Sequence, residues 1–115
     1  MRALQPMVAV LARNPADERS LKGWSETLHL SERTINRALL DDIGMTFAPW
    51  RRLLRIDRAR SLIADGESVS TTSWRVGYAS PSAFISAYRQ VVGETPGGRG
   101  AMTGGRDRVS TLQHI

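Results

Sequence analysis

The chain has 115 residues, a net charge of +5 and no cysteine. That excludes disulfides, thiolate zinc sites and cysteine nucleophiles, and it fits a reducing, cytoplasmic setting. No apolar run approaches the ~18 residues of a membrane span, no secretory signal opens the chain, and a chain of this size makes one domain, or two very small ones, burying roughly 65% of its unfolded surface.

In chain order, residues 6–13 read as a short helix. Pro6 stands in its first turn, and Met7, Val8, Val10 and Leu11 form its apolar side. Asn14-Pro15 breaks it, and residues 1–5 read as an arbitrary start. Ser20 is a good N-cap for a second helix through about Leu28. Ser31 caps a third, ended by Gly44 as a natural residue past the C-terminus. Thr46 caps a long fourth helix over about 47–65, with Pro49 in its first turn and Asp65-Gly66 at its end. Ser68 caps a fifth helix to about Val76. Ser80 caps a sixth, with Pro81 at its first position, Gly93 at its end and Pro96 beyond. From Gly97 to Ile115 the sequence is rich in glycine and polar residues without an apolar period, the composition of a flexible tail. No segment has a strand pattern.

One pattern occurs twice. Ser20, Leu21, Trp24 and Leu28 recur 48 positions later as Ser68, Val69, Thr72 and Val76. Ser31, Ile35, Leu39, Ile43, Gly44 and Thr46 recur 49 positions later as Ser80, Phe84, Tyr88, Val92, Gly93 and Thr95. The second copy thus has one extra residue in its turn. Each copy reads as two short helices joined by a tight turn, and a duplicated helix-turn-helix on a basic chain points to DNA read by two helices at once. The predicted architecture is all-α: two helix-turn-helix subdomains, homeodomain-like three-helical lobes, joined by a long linker helix. The boundaries are 1–44 for the first lobe, 45–66 for the linker helix, 67–96 for the second lobe and 97–115 for the tail.

At 100° per residue, the third helix places Ile35, Ala38, Leu39 and Ile43 inward and Arg33, Asn36, Arg37 and Leu40 outward. Arginine makes two bonds to guanine and asparagine two to adenine. The sixth helix places Phe84, Ala87, Tyr88, Val91 and Val92 inward. Ser82, Ile85, Ser86 and Arg89 face outward, with Ala83 beside them. Serine bonds phosphates or bases with little selectivity, and Ala83 suits a thymine methyl, so the first lobe is expected to discriminate more. Basic residues are fifteen Arg and one Lys, Lys22. Arg51, Arg52, Arg55, Arg58 and Arg60 all fall in the fourth helix, either facing phosphates or paired internally with Asp41, Asp42 or Asp57. That helix spans roughly 28 Å at 1.5 Å per residue, close to the ~34 Å between successive major-groove segments.

Leu30-Ser31-Glu32-Arg33-Thr34, Gly44-Met45-Thr46-Phe47 with Trp50-Arg51, Arg55-Ile56 with Ala59 and Leu62, and Val76-Gly77-Tyr78 through Ser80-Pro81-Ser82-Ala83-Phe84 then follow one another in order. With Tyr88-Arg89 and Gly93-Glu94-Thr95-Pro96, they make residues 21–96 resemble the DNA-binding domain of the AraC/XylS family of bacterial transcription regulators. The resemblance implies that the helices beginning at Ser31 and Ser80 enter the major groove of double-stranded DNA. It puts base contacts on Arg33, Asn36, Arg37, Pro81, Ser82 and Ser86. The full candidate DNA-binding set is Ser31, Arg33, Thr34, Asn36 and Arg37 in the first lobe, and Ser80, Pro81, Ser82, Ala83, Ser86 and Arg89 in the second. It also implies a touch on RNA polymerase, no cofactor and no metal. Most such regulators carry an effector or dimerisation domain, so the chain reads as an excised domain, monomeric alone, whose parent dimerises through a missing part.

The chain departs from the family pattern at Ser25, Thr72 and Ser73, where small or apolar residues are usual, and at Gly97-Gly98-Arg99-Gly100, where an aromatic and an arginine are usual. A buried Ser or Thr bonds the carbonyl four residues back at some cost in packing, so the second lobe is expected to be the less stable. The competing reading is a protein-interaction module on a helix-turn-helix frame with weak or lost DNA binding. An enzyme is not expected. His29 reads as a turn residue, Asp41-Asp42 as a solvated helix end, and Gly97-Gly98-Arg99-Gly100 is no phosphate loop, since no strand precedes it.

Overall fold

A computed structural model describes residues 2–96, and the glycine-rich segment read as a tail lies outside them. Six α-helices follow one 3-10 turn, and the described residues contain no strand. They are α1 (Gln5–Arg13), α2 (Leu21–Leu28), α3 (Glu32–Ile43), α4 (Phe47–Ala64), α5 (Val69–Arg75) and α6 (Pro81–Val92). The chain divides into two compact units, with the boundary between Leu54 and Arg55, inside α4.

The first unit closes around Leu4, Met7, Leu11, Trp24, Ile35, Leu39, Phe47 and Trp50. Val8, Val10, Leu28 and Ile43 pack against this core from half-buried positions. Arg2–Leu4 form a 3-10 turn that delivers Leu4 to the core at 1% exposure. A single apolar residue ahead of Pro6 has no periodicity to betray it. The second unit closes around Ile56, Ala59, Leu62, Val76, Phe84, Ala87, Tyr88 and Val92. Phe84 meets Tyr78 and Tyr88 at ring-centroid distances of 5.9 and 5.8 Å. α4 is thus one continuous helix whose residues serve two cores, which is why its apolar positions are too widely spread for a one-sided helix.

The duplication is visible in the hydrogen bonds. Ser20 and Ser68 Oγ accept from the amides of Gly23 and Thr71, and Ser31 and Ser80 Oγ accept from those of Thr34 and Ala83. The turns close alike: the Leu30 amide donates to the Ser25 carbonyl and the Tyr78 amide to the Ser73 carbonyl. His29 (φ 58°) and Gly77 (φ 99°) hold equivalent left-handed positions before those closures. The added residue of the second copy is therefore Ala79, exposed between Tyr78 and Ser80. Gly44 (φ 83°) and Gly93 (φ 93°) end α3 and α6 in the left-handed region that glycine adopts without strain.

Three expectations need correction. Ser25 donates forward, to the Leu30 carbonyl beyond the turn, because its helix ends three residues later and that carbonyl has no helical partner. Ser73 bonds three residues back, to Ser70 at 2.7 Å, and Thr72 Oγ1 is buried without a hydrogen-bond partner. Ile85 is half-buried against the second core and does not join the outer face of α6.

Candidate nucleic-acid interface

The α3 helix has a dry side and a wet side. Ile35 and Leu39 are fully buried, and Arg33, Thr34, Arg37 and Leu40 are exposed, Leu40 at 50%. Arg33 and Arg37 stand four residues apart on one stripe, so their guanidinium groups project together. Ser31 and Thr34 lie at the helix start, but their polar atoms are occupied: Ser31 Oγ accepts from the Thr34 amide at 3.0 Å and donates to Thr34 Oγ1 at 2.8 Å. Ser31 is thus the helix cap, and Thr34 is the residue whose amide and hydroxyl it bonds. Asn36 is half-buried at the edge of this face, where its Oδ1 accepts the Phe47 backbone N–H at 2.9 Å. That bond joins the middle of α3 to the first residue of α4. The helical period puts Asn36 outward and carries no sign of this bond, since it does not connect positions eleven residues apart.

The α6 helix repeats the division with gentler chemistry. Phe84, Ala87, Tyr88 and Val92 are buried, and Ser82, Ala83, Ser86 and Arg89 are exposed. Ser80 is occupied as the cap, and Pro81 is half-buried in the first turn. Ser86 and Arg89 line one open depression with Gln90 and Gly93. Gln90 was not singled out from sequence, although its place four residues past Ser86 puts it beside that serine on the helix surface.

The linker arginines divide by environment. Arg51 Nη1 donates to the Arg19 carbonyl at 2.6 Å, and its guanidinium lies 4.8 Å from the Phe47 ring centroid. Arg55 Nη1 donates to the Gly77 carbonyl at 3.3 Å and lies 5.4 Å from the Tyr78 ring. Arg51 thus ties α4 to the segment just before α2, and Arg55 ties it to the turn between α5 and α6. Backbone carbonyls and ring faces are partners that the expected pairing with Asp41, Asp42 or Asp57 did not include. Arg60 is buried at 4% exposure, Arg52 is half-buried and Arg58 is exposed. No group of three or more His, Asp or Glu is placed to hold a metal among the described residues, and no described helix is long and apolar enough to cross a membrane.

A family model described as "Helix-turn-helix domain" matches residues 24–98. The chain belongs to the AraC-type helix-turn-helix family. It is 37% identical over 95 residues to the HTH-type transcriptional regulator RipA of Corynebacterium glutamicum, covering 83% of this chain and 29% of that protein. It is 30% identical over 94 residues to the HTH-type transcriptional regulator NimR of Escherichia coli, covering 82% and 34%. The chain thus spans about a third of the length of the curated relatives it matches. Among solved structures, the DNA-binding domain of AdpA in complex with a target DNA has the same fold, with a TM-score of 0.75 at 20% identity over 97% of this chain and 95% of that one. An AraC-type regulator from Chromobacterium violaceum matches with a TM-score of 0.72 at 21% identity, over 96% and 92%. The all-α, AraC-type architecture expected from the sequence is the one observed.

Proposed function

We propose that this AraC-type chain is the DNA-reading part of a bacterial transcription regulator, with α3 and α6 entering successive major-groove segments of one non-palindromic site. The observation that carries this is the paired construction of the two helices. Each starts at a serine cap, ends at a left-handed glycine, buries an apolar side in its own unit and exposes a polar one. Arg33 and Arg37 read guanine edges from α3, and Ser82, Ala83 and Ser86 make the less selective contacts from α6. Ser31 and Ser80 cap the two helix starts, whose remaining backbone N–H groups suit phosphates, with Arg89, Arg52 and Arg58 supplying charge. The net charge of +5 supports the same partner. The same reading has the regulator work in the cytoplasm and touch RNA polymerase when bound.

Selection from a randomised duplex pool tests the reading, with enriched sites titrated at two salt concentrations. The expected result is two half-motifs about 10 bp apart and a clear salt slope. Enrichment of one half-motif only would remove the two-groove geometry, and no enrichment would remove base reading altogether. A protein-interaction module is the competing reading. It draws on the nearly neutral face of α6 and on Trp74, 55% exposed on α5. Partner binding that survives in an Arg33→Ala, Arg37→Ala double variant, with DNA binding weak in the wild type, would favour it.

A further inference from the structure

We infer that Asn36 is a positioning residue that pins the reading helix to the start of α4, and that it does not read adenine through the two-bond pattern its residue type offers. The inference rests on the DNA-reading proposal above and deepens it. A backbone N–H only donates, so the atom facing the Phe47 amide at 2.9 Å has to be the carbonyl oxygen of the Asn36 side chain. Two-bond reading of adenine needs that same oxygen to accept from the exocyclic amine while the amide nitrogen donates to the ring. With Oδ1 drawn half-buried toward α4, the side chain does not present both atoms outward.

The same bond has a mechanical consequence. Phe47 is the first residue of α4, and its amide is one of the four that a helix start leaves without a helical partner. Asn36 fills that role from α3, eleven residues earlier in the chain. Phe47 itself is buried in the first core beside Ile35 and Leu39, the inward residues of α3. The rotation of α3 about its own axis is thus fixed by its apolar side on the core and by Asn36 on its flank. Arg33 lies three residues before Asn36 and Arg37 one after it, so a small rotation of α3 displaces both guanidinium groups together.

The test uses the whole chain and two readouts, hydrogen exchange of the Phe47 amide and the base preferences of selected sites. Asn36→Ala should speed Phe47 exchange at least tenfold and flatten the preferences under Arg33 and Arg37 together. Asn36→Asp keeps an acceptor at the same place, so it should retain Phe47 protection and the pattern of preferences while lowering affinity for every sequence. Loss of preference at a single adenine-bearing pair in Asn36→Ala, with the Arg33 and Arg37 pairs unchanged, would overturn the inference. So would Phe47 exchange that Asn36→Ala leaves at the wild-type rate. Wild-type protein that enriches no site would sink the DNA-reading proposal alone, because Phe47 exchange reports on the pin without DNA.

Discussion

Replacing Arg33 or Arg37 with alanine removes a planar donor fork from an exposed position, with little expected effect on the fold. Either substitution should weaken binding to the selected site by about 1–3 kcal/mol and relax preference at one base pair. Equal losses on selected and random duplexes, measured by titration, would show phosphate contacts instead. Thr72 makes the opposite kind of prediction. Its hydroxyl is buried at 0% exposure without a hydrogen-bond partner, a state that costs about 1–3 kcal/mol. Thr72→Val keeps the shape and deletes the orphan, so it should raise the urea midpoint by an amount worth about 1 kcal/mol. An unchanged or lowered midpoint would show that the hydroxyl is satisfied by water. Position 72 was legible as a departure from an apolar slot, because the first copy carries Trp24 there. What was not legible is where each displaced hydroxyl goes, since Ser25 and Ser73 take different carbonyls according to how their helices end.

Elements were the easiest scale to foresee. Four serine caps and two glycine stops are local chemistry, each satisfying backbone groups within a few residues, so they are written in the sequence that surrounds them. The exceptions are long-range: Leu4 reaching a core, Asn36 reaching Phe47, and Arg51 and Arg55 reaching the carbonyls of Arg19 and Gly77. Comparison of the two copies also exposes a local mismatch. His29 holds a left-handed backbone at φ 58° where the second copy has Gly77. His29→Gly should therefore stabilise the first unit by about 0.5–1 kcal/mol, the relief of left-handed strain exceeding the added freedom of the unfolded chain. Thermal unfolding followed by circular dichroism checks it, and a lower midpoint would mean that the imidazole makes a contact worth more than the strain.

On the scale of the molecule, the charge of +5 is carried almost entirely by arginine. If about six phosphates are neutralised, the logarithm of the binding constant should fall with the logarithm of salt at a slope of roughly −5. A slope near zero would place the arginines in internal contacts only. The tryptophans give a separate view of each unit. Trp24 and Trp50 are buried in the first core, whereas Trp74 is 55% exposed on α5 of the second unit. Their fluorescence should shift to the red on unfolding of the first unit and change little on unfolding of the second.

Because each unit closes its own core, a substitution on the outer stripe of α3 leaves the side chains that hold α6 in place untouched. Libraries built at positions 33 and 37, and others at 82, 83 and 86, can therefore be screened apart and the winners combined with near-additive effect. Position 36 is the one to leave fixed, since varying it would turn a choice of letters into a change of grip.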